Sequence, residues 1–338
     1  MNSMTTTVTQ QPILDIRGLS THFSTPAGLL RAVQDVSLQV MPGECVGIVG
    51  ESGSGKSVSF ASVMGLIKPP GKIAAGQVLF DGTDLRQLSP EAMRSIRGKH
   101  IAMTMQDALT ALNPAMTVEQ QLLEVILAHD DEIAALSYWQ RKRLARQRAV
   151  DMLALVGIPS AQSRLKDYPH QFSGGMRQRI MVAIALACKP RLLIADEPTT
   201  ALDVTIQAQV LELITSLRRK LGMSLVLITH DLGVVAEQCD RVVVMYAGQV
   251  VESGLTADVI GAPQHPYTRG LLQATPRVED LAAPVRPIPG TVPNLIDFPV
   301  QCHFYARCAQ HTDACLHAIP LRRQASGHEV RCIQVTES

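Results

Sequence analysis

Eight consecutive residues, Gly50-Glu51-Ser52-Gly53-Ser54-Gly55-Lys56-Ser57, fit the spacing G-x-x-x-x-G-K-[ST] of a loop that holds phosphate. Glycines let the backbone close around an anion, its N–H groups point inward, and the helix that follows adds its positive end. Lys56 has the reach for β- and γ-phosphates, the Ser57 hydroxyl suits Mg2+, and Val58 carries the chain on into the helix. The bland alternative is a glycine-rich turn with an incidental lysine. Val46-Gly47-Ile48-Val49, apolar and β-branched, predicts a buried strand just before the loop, which is the context the motif requires. A second apolar run, Leu192-Leu193-Ile194-Ala195, ends in Asp196 and Glu197. A carboxylate at a strand's carboxyl end suits Mg2+, which assigns Asp196 to the cation and puts Glu197 beside an attacking water. The alternative there is a solvated strand end before Pro198.

With Ser173-Gly174-Gly175-Met176 between these two elements, the chain resembles an ATP-binding cassette (ABC) ATPase from near Ile13 to near Gly254. The order of several motifs carries the resemblance. A lone SGG is by default a surface loop, and a lone histidine a satisfied strand end. Phe172-Ser173-Gly174-Gly175-Met176 looks like the signature segment. Gln106 looks like the Q-loop glutamine that joins Ser57 and Asp196 at Mg2+. Ala201-Leu202-Asp203 looks like the D-loop, His230 like the switch histidine, and Phe23 like the aromatic that stacks on adenine. The resemblance implies an α/β fold with a P-loop (RecA-like) nucleotide-binding core, an antiparallel β subdomain and an inserted helical subdomain. It further implies an ATP hydrolase with the catalytic set Lys56, Gln106, Glu197 and His230. ATP would be sandwiched between the phosphate loop of one cassette and the Ser173–Met176 segment of another. Phosphoryl transfer leaves little covalent chemistry to a protein, so positioning and charge stabilisation dominate.

Bulk properties set bounds. A chain of 338 residues can bury a large core and hold two or more domains or subdomains. A net charge of +1 gives no electrostatic case for nucleic acid. No apolar run approaches the ~20 residues of a membrane span, and Met1–Gln11 lacks the basic start and apolar centre of a signal peptide. The chain is therefore expected in the cytoplasm, held at a membrane by a partner if at all. The basic run from Tyr138-Trp139 through Arg141, Lys142, Arg143, Arg146 and Arg148 could meet lipid headgroups or RNA; a solvated helix face is the simpler reading.

Residues 12–260 are expected to form one cassette. It has short strands over 12–45 around a turn at Thr25-Pro26-Ala27-Gly28, and a second turn at Phe80-Asp81-Gly82. A mostly helical stretch covers about 107–172, and Ser224–Thr229 and Arg241–Tyr246 are strand candidates. Residues 261–338 differ in character: Pro263, Pro266, Pro276, Pro284, Pro287, Pro289, Pro293 and Pro299 break any long regular element. This extension holds Cys302, Cys308, Cys315 and Cys332, spaced C-x5-C-x6-C-x16-C, whereas Cys45, Cys188 and Cys239 read as small buried hydrophobes. In a reducing compartment clustered thiols favour a metal over disulfides. Thiolates suit zinc or an iron–sulfur cluster, although C-x2-C pairs are missing and His303 and His311 lie near enough to compete.

Three further segments narrow the resemblance to oligopeptide and dipeptide importer ATPases: His265-Pro266-Tyr267-Thr268, Cys302-His303-Phe304-Tyr305-Ala306-Arg307-Cys308, and Gln106-Asp107 with Leu112-Asn113-Pro114. This implies ATP and Mg2+ as cofactors and a [4Fe–4S] cluster on Cys302, Cys308, Cys315 and Cys332. Met176 stands where glutamine is usual, which implies a heterodimer with a second, Gln-type ATPase subunit. Two membrane permease subunits and an extracytoplasmic substrate-binding protein complete the implied assembly, at the cytoplasmic face of the bacterial inner membrane. The cargo stays open among dipeptides, oligopeptides, glutathione, nickel and metal chelates. A weakly active regulatory ATPase subunit is the second reading. An ATPase of DNA repair or translation would need a long coiled-coil insertion or two cassettes in one chain, and the sequence has neither.

Overall fold

A computed structural model describes residues 11–199, 203–274 and 287–335. Met1–Gln10, Ala201, Leu202, Pro276 and Pro284, named above, lie outside the described residues. In chain order the strands are β1 (Leu14–Thr25), β2 (Gly28–Val40), β3 (Cys45–Val49), β4 (Gly71–Phe80), β5 (Thr83–Asp84), β6 (Ile101–Thr104), β7 (Leu192–Asp196), β8 (Ser224–Thr229), β9 (Arg241–Tyr246), β10 (Gln249–Leu255), β11 (Arg322–Arg323) and β12 (Glu329–Val330). They make two sheets, ordered β2-β1-β4-β5 and β11-β12-β10-β9-β3-β8-β7-β6. The first is antiparallel. In the second, β9, β3, β8, β7 and β6 run parallel, while β10, β12 and β11 form an antiparallel flank.

The parallel strands are buried on both faces, as their unbroken apolar runs require. Alternate side chains serve two cores. Val46, Ile48, Leu192, Ile194, Val226 and Ile228 face the antiparallel sheet and the helix Lys56–Val63. Cys45, Val49, Leu193, Ala195, Leu225 and Leu227 face the opposite way, into a core continuous with the helical region. That region comprises the helices Ala108–Ala111, Val118–His129, Asp131–Ala134, Tyr138–Leu155 and Ala161–Arg164. Thr117 starts the second of these with a capping box: its hydroxyl accepts from Gln120 N at 3.2 Å, and its N–H donates to Gln120 Oε1 at 2.8 Å.

The basic run lies on Tyr138–Leu155, with Tyr138 and Trp139 at 68% and 77% exposure. Arg148 pairs with Asp130 and Glu132, and Arg146 with Glu119. Part of the charge is thus neutralised by neighbouring acids. The turn expected near Thr25 falls between β1 and β2, where the Thr25 hydroxyl donates to Gly28 O at 2.8 Å. Asp81 and Gly82, with φ of 52° and 80°, form the tight turn joining β4 to β5.

The extension differs from a run of broken elements. Pro266 opens a helix, Pro266–Ala274, in the first turn, where an N–H has no intrahelical partner to lose. Residues near the C-terminus then return to the core sheet, with Glu252 opposite Val330 and Ser253 opposite Glu329. Tyr267, Leu295 and Phe304 are buried in the same hydrophobic cluster as β3, β7 and β8. Cys45 and Cys239 are buried as expected, their Sγ atoms 3.5 Å apart, but Cys188 is only half-buried.

Candidate active site

The carboxyl ends of four neighbouring parallel strands converge, the edge where open α/β sheets bind ligands. β3 feeds the loop Gly50–Gly55, β8 feeds His230, β7 ends in Asp196 and leads into Glu197, and β6 leads to Gln106. The loop takes its shape from Gly50, Gly53 and Gly55, at φ of 155°, 77° and 94°. At Gly50 a Cβ would stand 2.1 Å from Met245 O, and at Gly55 2.7 Å from Ala32 O, so a side chain at either position would collide with backbone. Ser54 is buried against the loop.

Lys56, 5% exposed, folds back over the loop: Nζ donates to Gly50 O at 2.7 Å, Glu51 O at 3.0 Å and Ser54 Oγ at 3.4 Å. Burial lowers its pKa, opposed by the nearby charges of Glu197, Asp196 and Glu51. The Ser57 hydroxyl donates to Asp196 Oδ1 at 3.0 Å, bringing together two residues 139 positions apart. Burial raises the Asp196 pKa, the Ser57 bond opposes it, and the Glu197 charge adds to it. Two hard oxygen donors at this spot, one held against its preferred ionised form, fit a cation such as Mg2+. Glu197 leaves the strand at φ 43°, a strained value for a residue with a side chain, held by its N–H donating to Ile228 O at 2.9 Å. Its Oε2 accepts from Gln106 Nε2 at 2.9 Å and lies 3.8 Å from His230 Nδ1. His230 is itself 68% exposed. The six residues from the phosphate loop, the acids, Gln106 and His230 therefore form one polar cluster open to solvent.

Ser173–Met176 opens a helix whose buried face packs into the same core as β7 and β8. Ser173 caps the helix Gly174–Leu186, its hydroxyl accepting from Met176 N at 3.4 Å, and Ser173 and Gly174 are exposed. Gly175 is packed so closely on Ile206 that a Cβ would come within 2.7 Å of its Cγ2. Asp203 caps the helix Val204–Leu221, whose Ile206 makes that contact. Phe23 sits in β1, half-buried, opposite Leu30 and Gly71, with its Cε1 2.5 Å from where a Gly71 Cβ would be. Ala32, two residues beyond Leu30 on β2, backs the phosphate loop at Gly55.

Sequence reasoning missed the residues that hold the loop from behind. Glu51 accepts both Nη atoms of Arg307, at 2.6 and 3.1 Å, and the Glu51 N–H donates to the Tyr267 hydroxyl at 2.8 Å. The signal was present in one form: an acid inside a phosphate-binding loop calls for a cation from elsewhere.

The four extension cysteines are free and neighbourly. Cys302 N donates to Cys315 O at 2.8 Å. Burial pushes the Cys302 thiol up to about 11, with Cys315, Cys308 and Cys332 adding to the rise; burial also raises Cys308 and Cys332. Among the described residues, no group of three or more His, Cys, Asp or Glu side chains forms a set that could hold a metal ion. The two histidines proposed as competitors each spend a ring nitrogen on backbone, His303 Nδ1 on Ala247 O and His311 Nδ1 on Cys308 O, both at 2.6 Å.

Beside them lies a buried polar knot. Glu252, fully buried in β10, accepts from Gln264 N at 2.7 Å, His265 N at 2.9 Å and His328 Nε2 at 2.8 Å. Burial alone would raise its pKa, but these bonds outweigh burial and hold it below the usual range. His265 Nδ1 accepts from Tyr267 N at 3.1 Å, and burial pulls the His265 pKa down to about 4. Between about pH 6.5 and 4 the unfolded chain takes up a proton here that the folded chain refuses, so stability falls as pH falls through that window. Glu252, with its depressed pKa, adds a loss of the same sign below about pH 4.5. Thermal unfolding followed from pH 6.5 to 4 should lose up to about 1.4 kcal/mol per pH unit from His265 alone. His265→Gln should flatten that slope. An unchanged slope would place the acid sensitivity elsewhere.

No described helix is long and apolar enough to cross a membrane. A family profile described as ABC transporter matches residues 33–200, and one described as oligopeptide/dipeptide transporter, C-terminal region, matches 251–315. The chain is 49% identical over 324 residues to the dipeptide transport ATP-binding protein DppD of Bacillus subtilis (strain 168), covering 95% of this chain and 94% of that one. It is 48% identical over 321 residues to DppD of Escherichia coli (strain K12), covering 95% and 96%. To the oligopeptide transport ATP-binding protein OppD of Salmonella typhimurium it is 44% identical over 340 residues, covering 99% of each. Among solved structures, a dimeric post-hydrolysis state of an ATP-binding cassette bound to ADP and Pi matches with a TM-score of 0.62 and 26% identity. That match covers 72% of this chain and 98% of the other.

Proposed function

This chain belongs to the ABC transporter family, among the ATP-binding proteins of dipeptide and oligopeptide transport, and from that premise we propose that it is the ATP-hydrolysing subunit that powers a bacterial peptide importer. The observation that carries the reading is the split between the two halves of the site. Lys56, Ser57, Asp196, Glu197, Gln106 and His230 meet at one sheet edge, while Ser173 and Gly174 stand exposed at the start of the helix Gly174–Leu186. A site so divided is completed by a second cassette. The matched cassette bound to ADP and Pi is itself dimeric, which supports that reading.

In this reading the phosphate loop and Lys56 bind the β- and γ-phosphates, and Phe23 stacks on the adenine. Ser57, Asp196 and Gln106 would hold Mg2+, which when bound supplies charge neutralisation at the phosphates. Glu197 takes up the proton of the attacking water. Gln106 and His230 hold the Glu197 carboxylate in place, and His230 also faces the γ-phosphate. The Ser173 hydroxyl and the N–H groups after it present a helix start to the γ-phosphate of the partner's ATP. Asp203, beside that helix, belongs to the same dimer face.

Met176 stands where glutamine is usual, and by the family resemblance this favours a second ATPase subunit with the Gln-type segment as the partner. Two permease subunits and an extracytoplasmic binding protein complete the complex, and the chain is peripheral on the cytoplasmic side of the inner membrane. Residues 12–260 act as the cassette, 107–172 as its helical part, and 261–338 as the extension. By the family resemblance the four cysteines would hold a [4Fe–4S] cluster, although among the described residues they do not stand as a set ready to take a metal. What supports this is a set of four free thiols in one segment, with Cys302 N bonded to Cys315 O, and thiolates are the usual ligands of such a cluster.

The test is coexpression with the candidate partner ATPase and permeases, and anaerobic purification from membranes. The complex should turn over ATP at least ten times faster than this chain alone and carry about four irons per cluster. Equal turnover by the isolated chain would end the divided-site reading. Iron-free complex with alkylatable thiols would end the cluster reading alone.

A further inference from the structure

Glu51 poses an electrostatic problem. A carboxylate within a loop built to hold phosphate repels the ligand. The structure answers with Arg307, which stands 256 residues away in sequence and reaches Glu51 with both Nη atoms. Every N–H of that guanidinium is used: Nε donates to Pro289 O at 2.9 Å, Nη1 to Glu51 and the Tyr246 hydroxyl, and Nη2 to Glu51 and Ile288 O. The Arg307 side chain is 4% exposed, and its guanidinium lies 5.7 and 5.9 Å from the ring centroids of Tyr246 and Phe304. Its fork is therefore fixed from all sides, which makes it a rigid post.

Two other contacts reach the same loop from the same extension. The Tyr267 hydroxyl accepts from Glu51 N. His303 Nδ1 bonds Ala247 O, and the next residue, Gly248, donates to Ser54 O at 3.0 Å. Arg307 and His303 both lie in the turn from Cys302 to Cys308, where Cys308 N bonds back to Tyr305 O. The phosphate loop is thus gripped at Glu51 and, through one intervening turn, at Ser54.

We infer that the C-terminal extension is a clamp that sets nucleotide affinity. Arg307 neutralises Glu51 and fixes the first half of the phosphate loop in its binding shape, so that docking of the Cys302–Cys308 turn and binding of nucleotide favour one another. Arg307 and Glu51 are positioning residues, acting on phosphate through the loop. The inference rests on the reading of that loop as the ATP site. Linkage makes the coupling reciprocal: if the docked turn raises ATP affinity, ATP must hold the turn closed by the same factor.

The sign of one substitution separates this from the simpler view. If Glu51 were merely a negative charge near phosphate, Glu51→Gln would tighten ATP. As the anchor of the clamp, its loss weakens ATP. Binding of a fluorescent ATP analogue with Mg2+ is measured on the full chain for wild type, Glu51→Gln, Arg307→Lys and the double variant. Each single variant should raise Kd by about 5- to 30-fold, and the double variant should be little worse than either single one. Lysine keeps the charge but cannot reproduce the fork, so Arg307→Lys should not rescue. In hydrogen exchange, nucleotide should slow amides over 302–316 in wild type and lose that effect in Glu51→Gln. Unchanged or tighter binding by Glu51→Gln, or additive losses in the double variant, would overturn the clamp. Wild type that binds no nucleotide would overturn the ATP site and the clamp together. Should Arg307→Lys fold poorly, Glu51→Gln and the exchange data still decide.

Discussion

Replacing Glu197 with Gln is expected to leave ATP binding intact and to lower ATP turnover by about 10²-fold or more, the scale set by loss of a positioned general base. The amide keeps the shape of the carboxylate and one oxygen able to accept the Gln106 bond, now 2.9 Å. It loses the negative charge and the basicity that a water would need. The backbone at φ 43° points to the same conclusion. A residue with a side chain is held in the left-handed region, at a cost of order 1–2 kcal/mol, only where surrounding structure imposes it. Here the Glu197 N–H to Ile228 O bond does so and turns the side chain toward Gln106 and His230. The check is turnover of the assembled complex beside nucleotide affinity of the same preparation. Near-normal turnover by the variant would remove Glu197 from the chemistry.

Lys56→Ala should show the opposite division, with affinity lost first. The ammonium now bonds two loop carbonyls and the Ser54 hydroxyl. Phosphate would offer it charge-assisted bonds, each worth roughly 1.5–3 kcal/mol, so losing two of them weakens ATP by about 10²- to 10⁴-fold. A planar fork does not reproduce the three ammonium bonds to Gly50 O, Glu51 O and Ser54 Oγ, so Lys56→Arg should not restore binding. Equilibrium binding of an ATP analogue decides the matter. A Kd within fivefold of wild type would mean that the backbone cradle alone holds the phosphates.

The parts of this site legible in sequence are those set by local rules. Gly50, Gly53 and Gly55 announce a loop of positive φ, and the runs before Gly50 and Glu197 announce buried strands with functional ends. Motif order then supplied Gln106 and His230, although no local pattern says that both reach Glu197. The Ser57–Asp196 bond could be anticipated only from two motifs known to share one cation. What stayed hidden was non-local. Strands β11 and β12 are two residues each, too short for any periodicity; the register of β12 comes from β10 and that of β11 from β12. Pro266 looked like a breaker, but proline at a helix start breaks nothing. Arg307 was visible as a member of the cysteine segment, yet its partner, Glu51, is fixed by packing of Tyr246, Tyr267 and Phe304, whose rings sit 4.5–5.5 Å apart.

The return of β12 to β10 also has a cost in time. A ribosome adding about 5–20 residues per second releases β10 with its outer edge unpaired and completes the strand that covers it on the order of 4–15 s later. During that interval the nascent chain presents Val250–Leu255 as an open edge, the kind that templates pairing with a neighbouring chain. Glu329 and Val330 therefore close the middle of that edge at Ser253 and Glu252, and a cassette ending before them would emerge with those two residues unpaired on that side.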